Sequence, residues 1–234
     1  MPARNAAVQR WRAQARQSRA MKPTRIDPRH HGLQRRTLVL ALAASLAACG
    51  KRQVPRAQAL AAGSVVLALG DSLTHGTGAA PQASYPAQLA ALSGWNVVNA
   101  GVPGDTAAQA LARLPALLAE HKPAWVIVSA GGNDFLRRLP KAQAAENVRA
   151  MVRLAKERGI GVLLIGTPDI GFMLTPPDFF AEIAKQSGVP YEGDVLTKIF
   201  RDTSLKADQV HPNALGYRLM AERVAELLRK SGAI

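Results

Sequence analysis

Residues 64–73 read SVVLALGDSL, and this stretch decides the fold class. A short apolar run, Ser64 to Leu69, is followed at once by Gly70-Asp71-Ser72-Leu73. Short runs of Val, Leu and Ile that end in Gly, Ser or Asn are typical of parallel strands buried on both faces. The stretch therefore predicts a buried strand, then a tight turn, then Ser72 at the start of a helix.

Four similar runs follow along the chain, with helical patterns between them. The runs are Asn96–Asn99, Trp125–Ser129, Gly161–Ile165 and, more weakly, Val189–Tyr191. Strands that alternate with helices indicate a parallel sheet with right-handed crossovers. We therefore predict an α/β fold with a parallel sheet of about five strands.

The helical pattern after the second run carries two signals about where helices begin and end. Asp105 is predicted to cap a segment that contains Leu111 and Leu114. Pro115 lacks a backbone N–H and is predicted to break this segment into two short helices. Further along, Val148, Met151, Val152 and Ala155 share a helix face, and a last helix ends near Gly232.

Polar residues follow the strands at the edge where a parallel sheet places its site. In open α/β sheets ligands bind beyond the carboxyl ends of the strands. Four blocks lie there or directly before the last helix: Gly70–Leu73, Asn99–Thr106, Gly131–Asp134 and Asp208–Pro212. Of the acidic residues in these blocks, Asp71 and Asp105 are predicted to act in turns and caps, and Asp134 to fix a loop.

Ser72, His211 and Asp208 are the residue types that nucleophilic catalysis requires. A serine hydroxyl is a weak nucleophile and needs a base, which the neutral imidazole of His211 can supply. Asp208 lies three residues before His211, close enough in a turn to bond the other ring nitrogen. The backbone N–H groups of Ser72 and Gly104 and the Asn133 amide are available to hold an oxyanion.

The four blocks, in this order and spacing, resemble the GDSL, or SGNH, hydrolase family. Ser72, Gly104, Asn133 and His211 match the four residues that give the family its second name, and the match runs from about Val65 to Leu228. The resemblance implies a flavodoxin-like three-layer α/β/α fold, no metal and no other cofactor. It also implies hydrolysis of esters or thioesters through an acyl-enzyme, as in the thioesterase/lysophospholipase and arylesterase branch.

The substrate is less well defined than the chemistry. The segment Thr167 to Pro177 does not match the acyl-binding loop of the thioesterase branch, and its Phe172, Met173 and Leu174 either line an acyl pocket or cover the core. A carbohydrate or peptidoglycan O-acetyl esterase is the alternative within this chemistry. A non-catalytic envelope lipoprotein that keeps the fold as a binding module is the alternative from another class.

The basic charge of the chain is concentrated in its first 52 residues. The 234 residues carry a net charge of +14, yet residues 1–52 hold 12 of the 30 Lys and Arg residues and only one acidic residue, Asp27. The rest of the chain is mildly basic, and aromatic residues make up 5% of the composition. Base-stacking platforms need aromatic side chains. We therefore expect a small ester or thioester as the partner and no nucleic acid.

The basic head is followed by the parts of a secretory signal. Arg35-Arg36 precedes the apolar run Thr37 to Ala48, which spans about 18 Å as a helix and is too short to cross a bilayer. Leu46-Ala47-Ala48-Cys49 looks like a bacterial lipobox, and Cys49 is the one cysteine of the chain. The alternative is an ordinary signal peptide in which Cys49 is incidental. Both Sec and twin-arginine export fit this head.

These features predict three segments. Residues 1–48 are a signal peptide with a long basic n-region, for which Met21 is an alternative start. Residues 49–63 are a lipidated Cys49 and a tether, and residues 64–234 are the hydrolase domain. The predicted location is the bacterial cell envelope, in the periplasm, with a membrane as partner through the Cys49 anchor.

Overall fold

The computed structural model describes residues 54–170 and 174–234. Cys49, the predicted signal peptide of residues 1–48, Phe172 and Met173 lie outside the described residues. Within the described part, five strands form one sheet in the order 2-1-3-4-5, and every neighbouring pair is parallel. This strand order is that of flavodoxin-like folds. The predicted α/β fold with a parallel sheet of about five strands is confirmed.

The strands lie close to the predicted runs. They are β1 Val65–Gly70, β2 Asn96–Gly101, β3 Trp125–Ser129, β4 Gly161–Ile165 and β5 Tyr191–Glu192. β2 differs from the expectation of burial on both faces, because it lies at an edge of the sheet and Asn96 and Asn99 are exposed. The weakest run is also the least accurate, since β5 begins two residues later than predicted.

Helices follow or precede each strand and end at glycines in several places. The described helices are α1 Ser72–His75, α2 Tyr85–Ser93, α3 Ala107–His121, α4 Gly132–Leu136, α5 Lys141–Glu157, α6 Phe179–Ser187, α7 Val195–Arg201 and α8 Ala214–Ser231, with 3-10 turns at Pro81–Ala83 and Thr203–Leu205. The helix-ending glycines Gly94, Gly188 and Gly232 adopt the left-handed conformation that favours glycine at this position. Neither α4 nor α7 was predicted from the apolar pattern, since both are short.

Alternate residues of each central strand enter two separate hydrophobic cores. On one face Leu67, Val126 and Leu164 pack with the buried sides of α3, α5 and α6. On the other face Val66, Ile127 and Leu163 pack with α2, α7 and α8. Fully burying one such side chain contributes about 1.5–3 kcal/mol. The two cores make a three-layer α/β/α sandwich whose loops at the carboxyl edge of the sheet are free to form a site.

Two predictions about α3 are wrong. Its N-cap is Thr106, whose side chain accepts a hydrogen bond from the Gln109 N–H at 3.3 Å while the Gln109 side chain bonds the Thr106 N–H at 2.9 Å. This reciprocal capping box satisfies two N–H groups, so Asp105 is left for another contact. Pro115 does not break the helix. Buried Ala110, Leu114 and Leu118 lie on both sides of it, and their packing offsets its cost of about 3 kcal/mol.

The described part of the predicted tether, residues 54–63, contacts the C-terminal end of the domain. The Ala57 N–H donates to the Ser231 carbonyl at 2.8 Å, and the Leu60 N–H donates to the Ala233 carbonyl at 2.9 Å. Both side chains also pack against the second core. No helix among the described residues is long and apolar enough to cross a bilayer.

Candidate active site

Ser72 is the first residue of α1 and follows β1 after a single residue. That residue, Asp71, caps the helix, and its Oδ1 accepts a hydrogen bond from the Leu73 N–H at 3.0 Å. The strand can meet the helix this closely because residue 70 is glycine. A Cβ there would lie 2.2 Å from Thr74 Oγ1 and 2.4 Å from the Ser129 carbonyl oxygen. The turn presents the Ser72 hydroxyl at the carboxyl edge of the sheet.

The structure brings His211 and Asp208 to Ser72, as the sequence predicted. His211 Nε2 lies 3.1 Å from Ser72 Oγ, and His211 Nδ1 lies 2.7 Å from Asp208 Oδ2. An imidazole bonded to a carboxylate through Nδ1 carries its proton there, which leaves Nε2 as the acceptor. The arrangement can therefore take the proton of the Ser72 hydroxyl.

Asp208 is held by its own loop rather than by distant parts of the chain. Its Oδ1 accepts hydrogen bonds from the Val210 and His211 N–H groups, each at 2.8 Å. Desolvation alone would raise the pKa of Asp208, but the His211 ring and the two N–H groups outweigh it and lower the pKa. The Asp208 carboxyl is therefore ionised when the His211 imidazole takes up the Ser72 proton.

Gly104 lies in a tight turn that borders the same cavity as Ser72. The Asp105 N–H donates to the Val102 carbonyl at 3.1 Å, which closes the turn around Pro103 and Gly104. Gly104 has a φ of 85°, a conformation that glycine adopts readily and other residues do not. Arg137 donates from Nη2 to the Gly104 carbonyl at 2.7 Å and holds the turn from its outer side.

Asn133 lies in α4, and its side-chain amide points toward the same region. Its Nδ2 donates to the Asp105 carbonyl at 2.9 Å and lies 3.4 Å from Asp71 Oδ2. The second contact is long for a hydrogen bond, so one amide proton is only weakly engaged. That proton is available to a substrate oxygen beside Ser72.

These residues surround one cavity of about 260 Å³. Its walls include Ser72, Gly104, Asn133 and His211, and its apolar part is formed by Leu136, Ile170, Phe200 and Val210. A neighbouring cavity of about 470 Å³ shares Leu136 and Ile170 with it. The predicted residues therefore lie together around a space that has a polar end and an apolar end.

Asp71 is a buried carboxyl directly behind Ser72. It is 2% exposed, and desolvation raises its pKa to about 6 although the Leu73 N–H and the charge of His211 act in the opposite direction. Its Oδ1 caps α1, as the sequence predicted, and its Oδ2 faces the Asn133 amide. Asp71 is thus part of the surroundings of the site as well as a cap.

Asp134 fixes the loop beside Asn133. Its Oδ2 accepts a hydrogen bond from the Ala107 N–H at 2.7 Å, at the first turn of α3. A carboxylate is favourable at a helix N-terminus. Burial raises the pKa of Asp134, and the bond from Ala107 opposes that shift. The contact joins α4 to α3 in the way that the sequence predicted for a loop-fixing residue.

Two residues beside the site were not identified from the sequence. Arg113 in α3 bonds Asp105 and two backbone carbonyls, and buried Tyr217 donates from its hydroxyl to the Thr77 carbonyl at 2.7 Å. The signal for Arg113 was a charged residue in the middle of α3, directly before buried Leu114, whereas the acidic residue of this helix, Glu120, lies at its C-terminal end. Among the described residues no three His, Cys, Asp or Glu side chains are grouped in a way that could hold a metal.

A model of the GDSL-like lipase/acylhydrolase family matches residues 68–219. The chain belongs to this family. The matched range contains all the residues that line the polar end of the cavity. This GDSL-like hydrolase also has relatives with named activities.

Esterase TesA of Pseudomonas aeruginosa is 44% identical to the chain over 185 residues, which cover 72% of the chain and 90% of that protein. Thioesterase 1/protease 1/lysophospholipase L1 of Escherichia coli K12 is 32% identical over 183 residues, with 72% and 85% covered. A crystal structure of TesA superposes with a TM-score of 0.61 at 33% identity and covers 71% of the chain and 98% of its own. The GDSL-like hydrolase described here is a carboxylic ester hydrolase.

Proposed function

We propose that the protein hydrolyses carboxylic esters or thioesters through an acyl-enzyme on Ser72. The observation that carries the proposal is the continuous contact from Ser72 Oγ through the His211 ring to Asp208, at 3.1 and 2.7 Å. A serine so placed is the nucleophile, the imidazole is the base, and the carboxylate holds the imidazole in the required tautomer. The relatives named as an esterase and a thioesterase support the same chemistry.

The reaction has two halves. Ser72 Oγ attacks the acyl carbonyl while its proton passes to His211 Nε2, and the oxyanion is held by the N–H groups of Ser72 and Gly104 and the Asn133 amide. Collapse breaks the bond to the alcohol or thiol, which takes the proton from His211. Water then gives a proton to His211 and attacks the acyl group. The acid leaves as Ser72 regains its proton.

The acyl chain extends from Ser72 between Leu136 and Ile170. These two side chains are shared by the cavity at Ser72 and by the neighbouring cavity of about 470 Å³. That cavity is also lined by apolar Phe135 and Leu139 and, at its polar part, by Arg138, Lys141 and Asp169. Each buried methylene contributes about 0.8 kcal/mol of binding. We therefore expect rates on p-nitrophenyl esters to rise from acetate toward octanoate. Activity confined to acetyl esters would instead indicate the O-acetyl esterase.

The direct test is to replace the nucleophile. Ser72→Ala should lower kcat on p-nitrophenyl butyrate by at least about 10⁴-fold, because the residual rate then depends on binding and the oxyanion donors alone. A fluorophosphonate probe should label the parent and not the variant. Ser93→Ala, at the end of α2, is the matched control and should leave rate and labelling unchanged. If Ser72→Ala hydrolysed the ester at the parent's rate, the assignment would be wrong.

We also propose that the chain is exported and carries lipid on Cys49. The support is the order of basic residues, the apolar run Thr37 to Ala48 and Leu46-Ala47-Ala48-Cys49. Mass spectrometry of the mature protein should find Cys49 as the first residue with an acyl modification. Cys49→Ala should abolish the modification and release the protein from the membrane fraction. A mature chain that begins elsewhere, with an unmodified Cys49, would contradict the anchor.

A further inference from the structure

Arg113 bonds three separate segments of the chain at the carboxyl edge of the sheet. From α3 its Nε donates to Asp105 Oδ2 at 2.9 Å, and its Nη2 lies 2.7 Å from the same oxygen. Nη2 also donates to the carbonyl of Gly70 at 3.3 Å and to the carbonyl of Ala100 at 3.2 Å. One guanidinium therefore joins the ends of β1 and β2 to the turn that follows β2.

Each of these segments leads to an oxyanion donor. Gly70 ends β1 two residues before Ser72, and Ala100 leads into the turn that contains Gly104. Asp105 closes that turn with its N–H and receives the Asn133 amide on its carbonyl at 2.9 Å. The position of the Asn133 amide thus depends on the same residue whose carboxylate Arg113 holds.

The contacts form a closed circuit around the oxyanion side. Asp134 of α4 bonds the Ala107 N–H of α3 at 2.7 Å, and Arg113 of α3 bonds the Asp105 carboxylate. The Asp105 carbonyl in turn receives Asn133 of α4. A closed circuit limits how far any of its members can move without breaking a bond. In this one, Arg113 is the member that reaches β1 as well.

We propose that Arg113 is a positioning residue that keeps the Ser72 N–H, the Gly104 N–H and the Asn133 amide in register for the transition state. It contacts no substrate and acts through Asp105, Gly70 and Ala100. The proposal rests on the acyl-enzyme mechanism proposed above. Preorganised donors matter because a misplacement of about 1 Å can cost roughly 100-fold in rate.

The geometry requires an arginine rather than any positive charge. The Asp105 side chain is 11% exposed and the Arg113 side chain 30%, so this ion pair is largely withdrawn from solvent. A planar guanidinium can bond a carboxylate and two carbonyls at once from fixed directions. An ammonium can neutralise Asp105 but lacks that fork. Arg113→Lys should therefore fold, because the buried Asp105 carboxylate keeps a cationic partner. The three oxyanion donors should nevertheless lose their alignment, because an ammonium cannot bond the carboxylate and both carbonyls from fixed directions.

The test compares Arg113→Lys with the parent in the full chain. On p-nitrophenyl butyrate kcat should fall by about 10- to 100-fold while KM stays within about three-fold, because the lost interactions matter in the transition state. Phosphonylation of Ser72 by a fluorophosphonate should slow in parallel, since its phosphoryl oxygen uses the same donors. In Arg113→Ala, methylguanidinium at concentrations that leave the parent folded should restore part of kcat.

The control is Arg153→Lys in α5, where the exposed arginine pairs with exposed Glu157 at 3.8 Å and lies on another helix. It should keep the parent's kcat and KM. If Arg113→Lys kept kcat within about two-fold, or lowered only the melting temperature, Arg113 would be purely structural and the proposal wrong. If Ser72→Ala also kept its activity, the proposed mechanism itself would fail, whatever the arginine does.

Discussion

The two sides of Ser72 are built in different ways. On the relay side, Asp208 and His211 lie three residues apart in one loop, and their side chains are 54% and 20% exposed. On the oxyanion side, the Asp105 side chain is 11% exposed and Asp71 as a whole residue is 2% exposed, and bonds join segments from Gly70 to Asn133. The first side is local and open to solvent, whereas the second is buried and long-range.

Because of this difference, the two sides of Ser72 contribute unequally to catalysis and to the stability of the fold. The relay supplies the proton transfer, but apart from the contact between the His211 ring and the Ser72 hydroxyl its bonds lie within residues 208–211 and hold little of the fold together. The oxyanion donors move no proton, but their supports are also the contacts that fix α3, α4 and the ends of β1 and β2. We therefore expect changes in the relay to cost activity alone, and changes on the oxyanion side to alter activity and stability together.

His211→Gln should have the largest effect and should test the relay side by itself. Without the base the Ser72 hydroxyl keeps its proton, so kcat should fall by at least about 10⁴-fold. The melting temperature should change little, because the ring bonds only Asp208 of its own loop and the Ser72 hydroxyl. Steady-state kinetics and thermal unfolding of the same sample measure both.

The matched control is His75→Gln, which removes an imidazole three residues from Ser72. The His75 ring lies 3.5 Å from Thr77 Oγ1 on the exposed side of α1, and this variant should keep the parent's rate. A large loss of stability in His211→Gln would break the distinction between the two sides, because the relay would then also carry the fold.

Asn133→Ala should have a smaller effect on rate and a larger one on stability. Losing one oxyanion donor lowers kcat by about 10²- to 10³-fold, and KM should change little. The Asp105 carbonyl loses its side-chain donor, and an unsatisfied buried group costs about 1–3 kcal/mol of the free energy of unfolding. Urea unfolding monitored by fluorescence would measure that cost.

Asn96→Ala at the exposed start of β2 is the control and should change neither kcat nor the unfolding midpoint. An Asn133→Ala protein that was as stable as the parent would show that the Asp105 carbonyl does not need this bond. The oxyanion side would then be less cross-linked than its contacts indicate, and the comparison would rest on Arg113 alone.

The same difference explains which features could be predicted from the sequence. Asp208 and His211 are three residues apart in one turn, so their contact follows from spacing alone. Ser72, Gly104 and Asn133 follow strands, and parallel strands bring their carboxyl ends to one edge. These residues could be placed together without knowledge of a single distance.

The features that could not be predicted from the sequence depend on residues that compete for one role, or on contacts between residues far apart along the chain. Asp105 looks like a cap, but Thr106 with Gln109 makes two bonds at the same helix start and takes that role. Pro115 looks like a helix breaker, but the burial of the residues around it is not visible in the local pattern. The partners of Arg113 at Gly70 and Ala100 are far away in sequence, and only the packed sheet brings them to one guanidinium.

Asp71→Asn should have the smallest effect and should sharpen the comparison through pH. The folded-state pKa of Asp71 is about 6, against an ordinary value of 3.8, because burial disfavours its charge. Between these two values the folded protein binds a proton that the unfolded chain has lost, so the parent's stability falls as pH rises through this window. A shift of this size corresponds to roughly 3 kcal/mol.

The amide cannot ionise, so Asp71→Asn should be more stable than the parent above pH 7 and less stable than it by about 1–2 kcal/mol below pH 4. The gain should be only about 1–2 kcal/mol, because the amide oxygen is needed by the Leu73 N–H and the amide nitrogen then faces the Asn133 nitrogen. Repulsion between the two donors should also lower kcat. Thermal unfolding from pH 4 to 8, with exposed Asp178→Asn as control, measures the gain. A difference in stability that did not change with pH would show that Asp71 ionises with the same pKa in the folded and the unfolded protein, and that burial does not disfavour its charge.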